Sequence, residues 1–142
     1  MLDFLVSYAL SFVGQPYRWG GDDTINGFDC SGLIQEILAA VGMDPPGDQT
    51  AQGLYAYFLP RQMLTSNALA AGALCFYGAS EDRITHVGFS LGNGCMVEAG
   101  GGNSRTQTRA DAARQNAYVR VRPIQHRHDL VAVIIPCYPD VQ

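Results

Sequence analysis

Charge is scarce in this chain: of 142 residues only 15% are charged, and acids outnumber bases for a net charge of −4. That balance excludes general nucleic-acid binding, which needs a cationic face. The four cysteines, Cys30, Cys75, Cys95 and Cys137, contain no C-x-x-C pair. Neither a zinc site nor a small disulfide scaffold is indicated. No apolar run approaches the ~20 residues of a membrane span. The N-terminus lacks the positive region of a signal peptide, since Met1-Leu2-Asp3-Phe4 carries an acid there, and no small-residue cleavage site follows. Internal repeats and interdomain linkers are also missing, so the expectation is one domain over residues 1–142, unanchored and soluble.

What is present is apolar material: 47% of residues are hydrophobic, enough for a core without metal or disulfide staples. Leu2, Leu5, Ala9, Phe12 and Val13 repeat at helical spacing and predict a helix over 2–13, closed by Gly14 and Pro16. A second helix follows Cys30, with Leu33, Ile34, Ile37, Leu38 and Val41 on one face and Gly42 as its stop. A shorter one spans Thr50 to Leu59. The pattern then turns extended, with strands expected at Ala73–Tyr77, His86–Leu91, Cys95–Ala99, Tyr118–Val121 and Leu130–Ile135. Helices first and strands second give an α+β domain, its N-terminal helices packed on a mainly antiparallel sheet of five or six strands. Gly100-Gly101-Gly102-Asn103 reads as a flexible surface loop. The late arginines, at 105, 109, 114, 120, 122 and 127, read as a solvated strand-and-loop surface, the alternative being a local patch for an anionic ligand.

Cys30 stands where a loop turns into a helix, in Gly27-Phe28-Asp29-Cys30-Ser31-Gly32. The unpaired N–H groups of a first helical turn favour a thiolate over a thiol. A cysteine nucleophile also needs a base and a group that orients the base. His86, opening the strand His86-Val87-Gly88-Phe89, is the best base; His126 and His128 lie in a polar stretch before the last strand. Glu98 is the candidate orienting group. It lies twelve residues after His86, across Gly92-Asn93-Gly94. A two-residue turn would pair Phe89 with Glu98 and put His86 on the opposite face. A three-residue loop with Gly94 in the left-handed region pairs Gly88 with Glu98 instead. His86 and Glu98 then share a face as diagonal neighbours, roughly 7–8 Å apart at the backbone, and Cys95 goes to the other face. Cys75, in an apolar run, reads as a buried structural thiol.

Three ordered motifs carry a resemblance. Tyr17-Arg18-Trp19-Gly20-Gly21, then Gly27 to Leu33 around Cys30, then His86-Val87-Gly88-Phe89 with Leu91-Gly92-Asn93-Gly94, resemble the NlpC/P60 cysteine peptidases. Ala71 to Tyr77 is similar to the family's strand before the histidine, although an aspartate commonly follows the glycine there and this chain has Ala73. The resemblance implies a papain-like α+β domain that cleaves peptidoglycan stem peptides, typically between D-γ-glutamyl and diaminopimelate or lysine. It makes Cys30 the nucleophile, His86 the base, and Tyr17 a residue that holds substrate or oxyanion. It places Asp29 and Ser31 along the substrate groove, where Asp29 could meet a substrate amine, while Trp19 is expected to pack under its loop. The family's third residue is usually a second histidine; here that position is Glu98. No metal or organic cofactor is expected. The other readings are an amidase that cuts the glycan–peptide bond, a lipid acyltransferase, for which no apolar membrane-facing segment is found, and a non-catalytic wall-binding or phage-tail module. Without a signal peptide, delivery by a phage, export by a dedicated machine, or origin as a trimmed secreted enzyme are the routes to the wall, with an immunity protein or phage structural protein as a conceivable partner.

Overall fold

Residues 1–63 and 70–139 are described by the computed structural model of the chain. Three helices come first: α1 (Leu2–Leu10), α2 (Cys30–Ala39) and α3 (Ala51–Phe58). Between α1 and α2 the chain forms a two-residue antiparallel pair, β1 (Asp22–Asp23) and β2 (Gly27–Phe28). The strands β3 (Leu74–Gly78), β4 (Ile84–Ser90), β5 (Cys95–Gly100), β6 (Tyr118–Pro123) and β7 (Leu130–Ile134) build one antiparallel sheet in the order β6-β5-β4-β3-β7. The α+β arrangement and all five expected strands are present. Helix α1 is shorter than expected, because residues 11–14 leave the helix in turns that end at Gly14, whose φ is +96°.

The period-two alternation of the strands separates two cores. Leu74, Phe76, Val87, Phe89, Val97 and Ala99 face the helices and join the main cluster. Cys75, Tyr77, Met96 and Ile124 form a smaller cluster on the opposite face. Helix α2 lies against the first face through Leu33, Ile34, Ile37 and Leu38, all fully buried. Each such side chain contributes about 1.5–3 kcal/mol of burial. Four of them in one stripe fix the roll of the helix, and with it the direction in which Cys30 points.

The β4–β5 hairpin takes the register of a three-residue loop. Phe89 pairs with Val97 and Ser90 with Met96, which carries Gly88 opposite Glu98. Gly92 and Gly94 both have positive φ, +88° and +84°, and Leu91 N–H donates to the Cys95 carbonyl. Ordinary L residues resist that conformation, so the glycine pair selects this loop over the two-residue turn.

One helix was not anticipated: α4 (Arg109–Gln115). It carries Arg109 and Arg114, which the sequence reading placed on strands and loops. Its signals were present as a Thr108–Asp111 capping box and Asn116 in the left-handed conformation at its end. Seven residues with little apolar periodicity masked them.

Candidate active site

Cys30 is the first residue of α2, and its placement begins with Asp29. The Asp29 carboxylate caps the helix, accepting from Gly32 N–H at 2.8 Å and from Gly20 N–H at 3.0 Å. It also receives the Ser31 hydroxyl at 3.3 Å. Burial nevertheless pushes the Asp29 carboxyl above its ordinary range, against those three bonds. Gly32 allows the loop to sit this close, since a Cβ there would lie 2.1 Å from the Gly21 carbonyl oxygen. Asp29 is thus first a positioning residue, with both oxygens engaged by the protein. Its remaining lone pairs, like the buried Ser31, still line the groove beside Cys30.

The Cys30 sulfur lies 3.9 Å from the Thr85 carbonyl, beside the next residue, His86. His86 is 6% exposed and Glu98 3%. Their side chains meet at 3.0 Å between Nε2 and Oε2, on the face the hairpin register gives them. Nε2 is thereby taken, which leaves Nδ1 as the nitrogen for the thiol. Burial by itself would lower the His86 pKa; hydrogen bonding to Cys30 and Glu98 and their negative charges overcome it and hold the imidazole at about 9. Glu98 feels the reciprocal effect: burial raises its pKa, but the His86 bond and charge, with Arg122 and Arg127 farther off, bring it below the ordinary value. The pair is therefore an imidazolium–carboxylate pair at neutral pH.

Cys30 sits between two lobes of one cleft. The larger, about 480 Å³, contains His86 and Glu98 and is walled by Gly101, Gly102, Arg122 and Arg127. The smaller, about 360 Å³, is lined by Asp29, Ser31, Asp48, Thr50 and Ile84. Tyr17, Trp19 and Thr85 border both. Tyr17 is 6% exposed, and its hydroxyl is pushed well above its usual range by burial and by the charges of Cys30 and Asp29, so it remains a neutral donor.

Three sequence expectations change here. Trp19 does not pack under the loop; at 52% exposure it stands on the rim of both lobes. The glycine-rich stretch is not a free surface loop: Gly100 ends β5, and Gly102 lies under Tyr17, where a Cβ would be 2.2 Å from the ring. Arg122, His126 and Arg127 do not all face bulk solvent but wall the larger lobe. The clustering of arginines late in a chain otherwise poor in charge had left an anionic-ligand patch as the alternative reading, but no motif marked Arg122 and Arg127 as the members that wall the cleft, and His126 was read as part of a polar stretch. Among the described residues, no group of three or more His, Cys, Asp or Glu side chains is arranged to hold a metal ion. No helix among them is long and apolar enough to cross a membrane.

Comparison with known proteins agrees with this architecture. A profile described as the NlpC/P60 family matches residues 14–123, most of the chain, with Tyr17, Asp29, Cys30, His86, Glu98 and Arg122 inside the match. The chain belongs to the NlpC/P60 family. Among curated relatives it is 41% identical over 93 residues to the bifunctional muramidase/DL-endopeptidase CwlT of Bacillus subtilis (strain 168), covering 64% of this chain and 27% of that protein. It is 36% identical over 97 residues to the gamma-D-glutamyl-L-lysine dipeptidyl-peptidase of the same organism, covering 67% and 31%. The chain thus spans about a quarter to a third of the length of these two relatives. Among solved structures, RipD from Mycobacterium tuberculosis superposes with a TM-score of 0.70 over 96% of this chain and 97% of that one, at 23% identity. RipD is described as a non-catalytic NlpC/P60 domain protein adapted to a peptidoglycan-binding function, and the likeness at this identity is one of fold. The NlpC/P60 α+β fold, with helices on an antiparallel sheet, is the one described above.

Proposed function

We propose that the chain is a cysteine endopeptidase that hydrolyses peptidoglycan stem peptides, at the bond between D-γ-glutamyl and the following diaminopimelate or lysine. The observation that carries this reading is the line Cys30–His86–Glu98 at the floor of an open two-lobed cleft, with the imidazole bonded on its far side at 3.0 Å. The names of the two Bacillus relatives, a DL-endopeptidase and a gamma-D-glutamyl-L-lysine dipeptidyl-peptidase, support the choice of substrate and bond.

In this mechanism the Cys30 thiolate attacks the scissile carbonyl, forming a C–S bond and an oxyanion. The Cys30 backbone N–H, among the first-turn donors without a helical partner, receives the oxyanion, assisted by the Tyr17 hydroxyl. Collapse expels the amine, which takes its proton from the His86 imidazolium. Neutral His86 then deprotonates water, hydroxide attacks the thioester, and the carboxylate product leaves with Cys30 and His86 restored as thiolate and imidazolium. Glu98 holds the ring orientation and stabilises its charged form, the role an aspartate fills in serine triads.

The test is digestion of purified peptidoglycan by the wild type and by Cys30→Ala, with fragments identified by mass spectrometry. Stem-peptide fragments from the wild type alone support the reading and name the bond. Intact stem peptides with free glycan would replace it by an amidase. Binding to the wall without release by either protein would place the chain with non-catalytic members of the fold.

A further inference from the structure

The two lobes around Cys30 differ in charge, and the chemistry assigns them to different halves of the substrate. His86 lines the larger lobe and not the smaller. The group that protonates the leaving amine must stand beside it, so the half of the peptide that departs as an amine occupies the larger lobe. This assignment rests on the endopeptidase reading above.

The wall of that lobe is cationic. Arg127 is neutralised locally by Asp129, which it grips through two bonds of 2.9 and 2.8 Å while its guanidinium lies 5.3 Å over the Tyr77 ring. Glu98 is committed to His86. Arg122 is different. Its partner is the His126 ring, at 2.7 Å from Nη1 to Nε2, and among the described residues it forms no salt bridge with a carboxylate. A guanidinium has five N–H donors in a planar fork suited to a carboxylate, and the histidine uses only part of that capacity. His126 holds the side chain against the lobe without cancelling its charge.

We propose that Arg122, steadied by His126, binds a carboxylate on the leaving half of the stem peptide and thereby selects diaminopimelate over lysine at the position after the γ-linked glutamate. A lysine side chain ends in an ammonium alone, which Arg122 repels. Diaminopimelate ends in an ammonium and a carboxylate on the same carbon, and the carboxylate meets the guanidinium. The late-arginine cluster therefore includes a ligand-reading member, whereas Arg109, Arg114 and Arg120 are engaged by the Ile25 carbonyl, Asp111 and the Asn116 carbonyl.

The experiment uses the chain as it stands and four synthetic tetrapeptides of the form L-alanyl-γ-D-glutamyl-X-D-alanine. In them X is diaminopimelate, diaminopimelate with its side-chain carboxyl amidated, lysine, or diaminopimelate in a peptide whose terminal D-alanine is amidated. A charge-assisted bond of this type predicts a preference for diaminopimelate over lysine of about tenfold or more in kcat/KM, carried mainly by KM. Side-chain amidation should erase it. Arg122→Gln should bring the ratio near one, Arg122→Glu should reverse it, and His126→Ala, which keeps the charge but removes its support, should weaken it less. The same ratio in wild type and Arg122→Gln would overturn the proposal while leaving the endopeptidase standing. A loss on amidating D-alanine, with none on amidating the diaminopimelate side chain, would overturn the assignment to diaminopimelate. Cleavage of none of the four by the wild type would refute the reaction itself.

Discussion

Replacing Glu98 by glutamine preserves the shape of the buried pair and removes its negative charge. His86 stands at about 9 against an ordinary 6.5, a preference for the imidazolium of about 3 kcal/mol. That preference survives although burial opposes it, so the hydrogen bonds and charges of Cys30 and Glu98 together contribute more than the net figure. With glutamine at 98 the burial penalty remains and one of the two anions is gone. The basic limb of kcat/KM, set in this mechanism by loss of the His86 proton, should fall from about 9 toward neutral pH, by about one pH unit or more. The assay is a pH profile on a purified stem peptide, with the His86 ring followed by NMR in the same range.

Stability should move with the same sign. A histidine whose pKa is raised on folding contributes stability that is full below about 6.5 and is lost as pH rises through about 9. Glu98, lowered on folding, contributes stability that is present above its ordinary 4.5 and is lost as pH falls through its depressed value. The wild type should therefore lose more thermal stability between pH 6.5 and 9 than Glu98→Gln does. Turnover should fall in Glu98→Ala and be partly retained in Glu98→His. A basic limb that stays at the same pH in wild type and Glu98→Gln, or equal turnover in the wild-type, Ala and His forms, would refute the coupling.

Three further outcomes follow from the local geometry. Gly102→Ala drives a Cβ into the Tyr17 ring and should cost about 1–3 kcal/mol of overpacking, together with a loss of kcat, read by thermal denaturation and by turnover. Asp29→Ala removes the α2 cap and should destabilise by about 1–2 kcal/mol and slow alkylation of Cys30; Asp29→Asn, which keeps an acceptor oxygen, should lose less. Cys75, pushed up to about 12 by burial, should stay unmodified by iodoacetamide at pH 8 until denaturant is added, as peptide mapping would show.

How much of the site was legible depended on whether local rules or the fold placed each residue. The Cys30 position followed from a local rule: a loop, a capping aspartate and an apolar stripe specify one helix start. The His86–Glu98 contact was also within reach, because strand alternation and the Gly92-Asn93-Gly94 loop left two registers, of which one put both side chains on the same face. What decided between them was the positive φ of Gly92 as well as Gly94, a conformation that glycine permits in sequence but does not announce. Arg122 was beyond such reasoning. Strand β6 lies next to β5 through pairing over twenty and more residues, with Glu98 opposite Arg120 and Met96 opposite Arg122. Only this non-local register aligns Arg122 with Glu98 and His86 on the face that turns toward the cleft. Helix α4 and the Gly101 bend, which return the chain to that edge, had been masked by short length and glycine content. Cys30, His86 and Glu98 are thus written within about seventy residues of sequence, whereas the cation proposed to choose the substrate is delivered by the return strand.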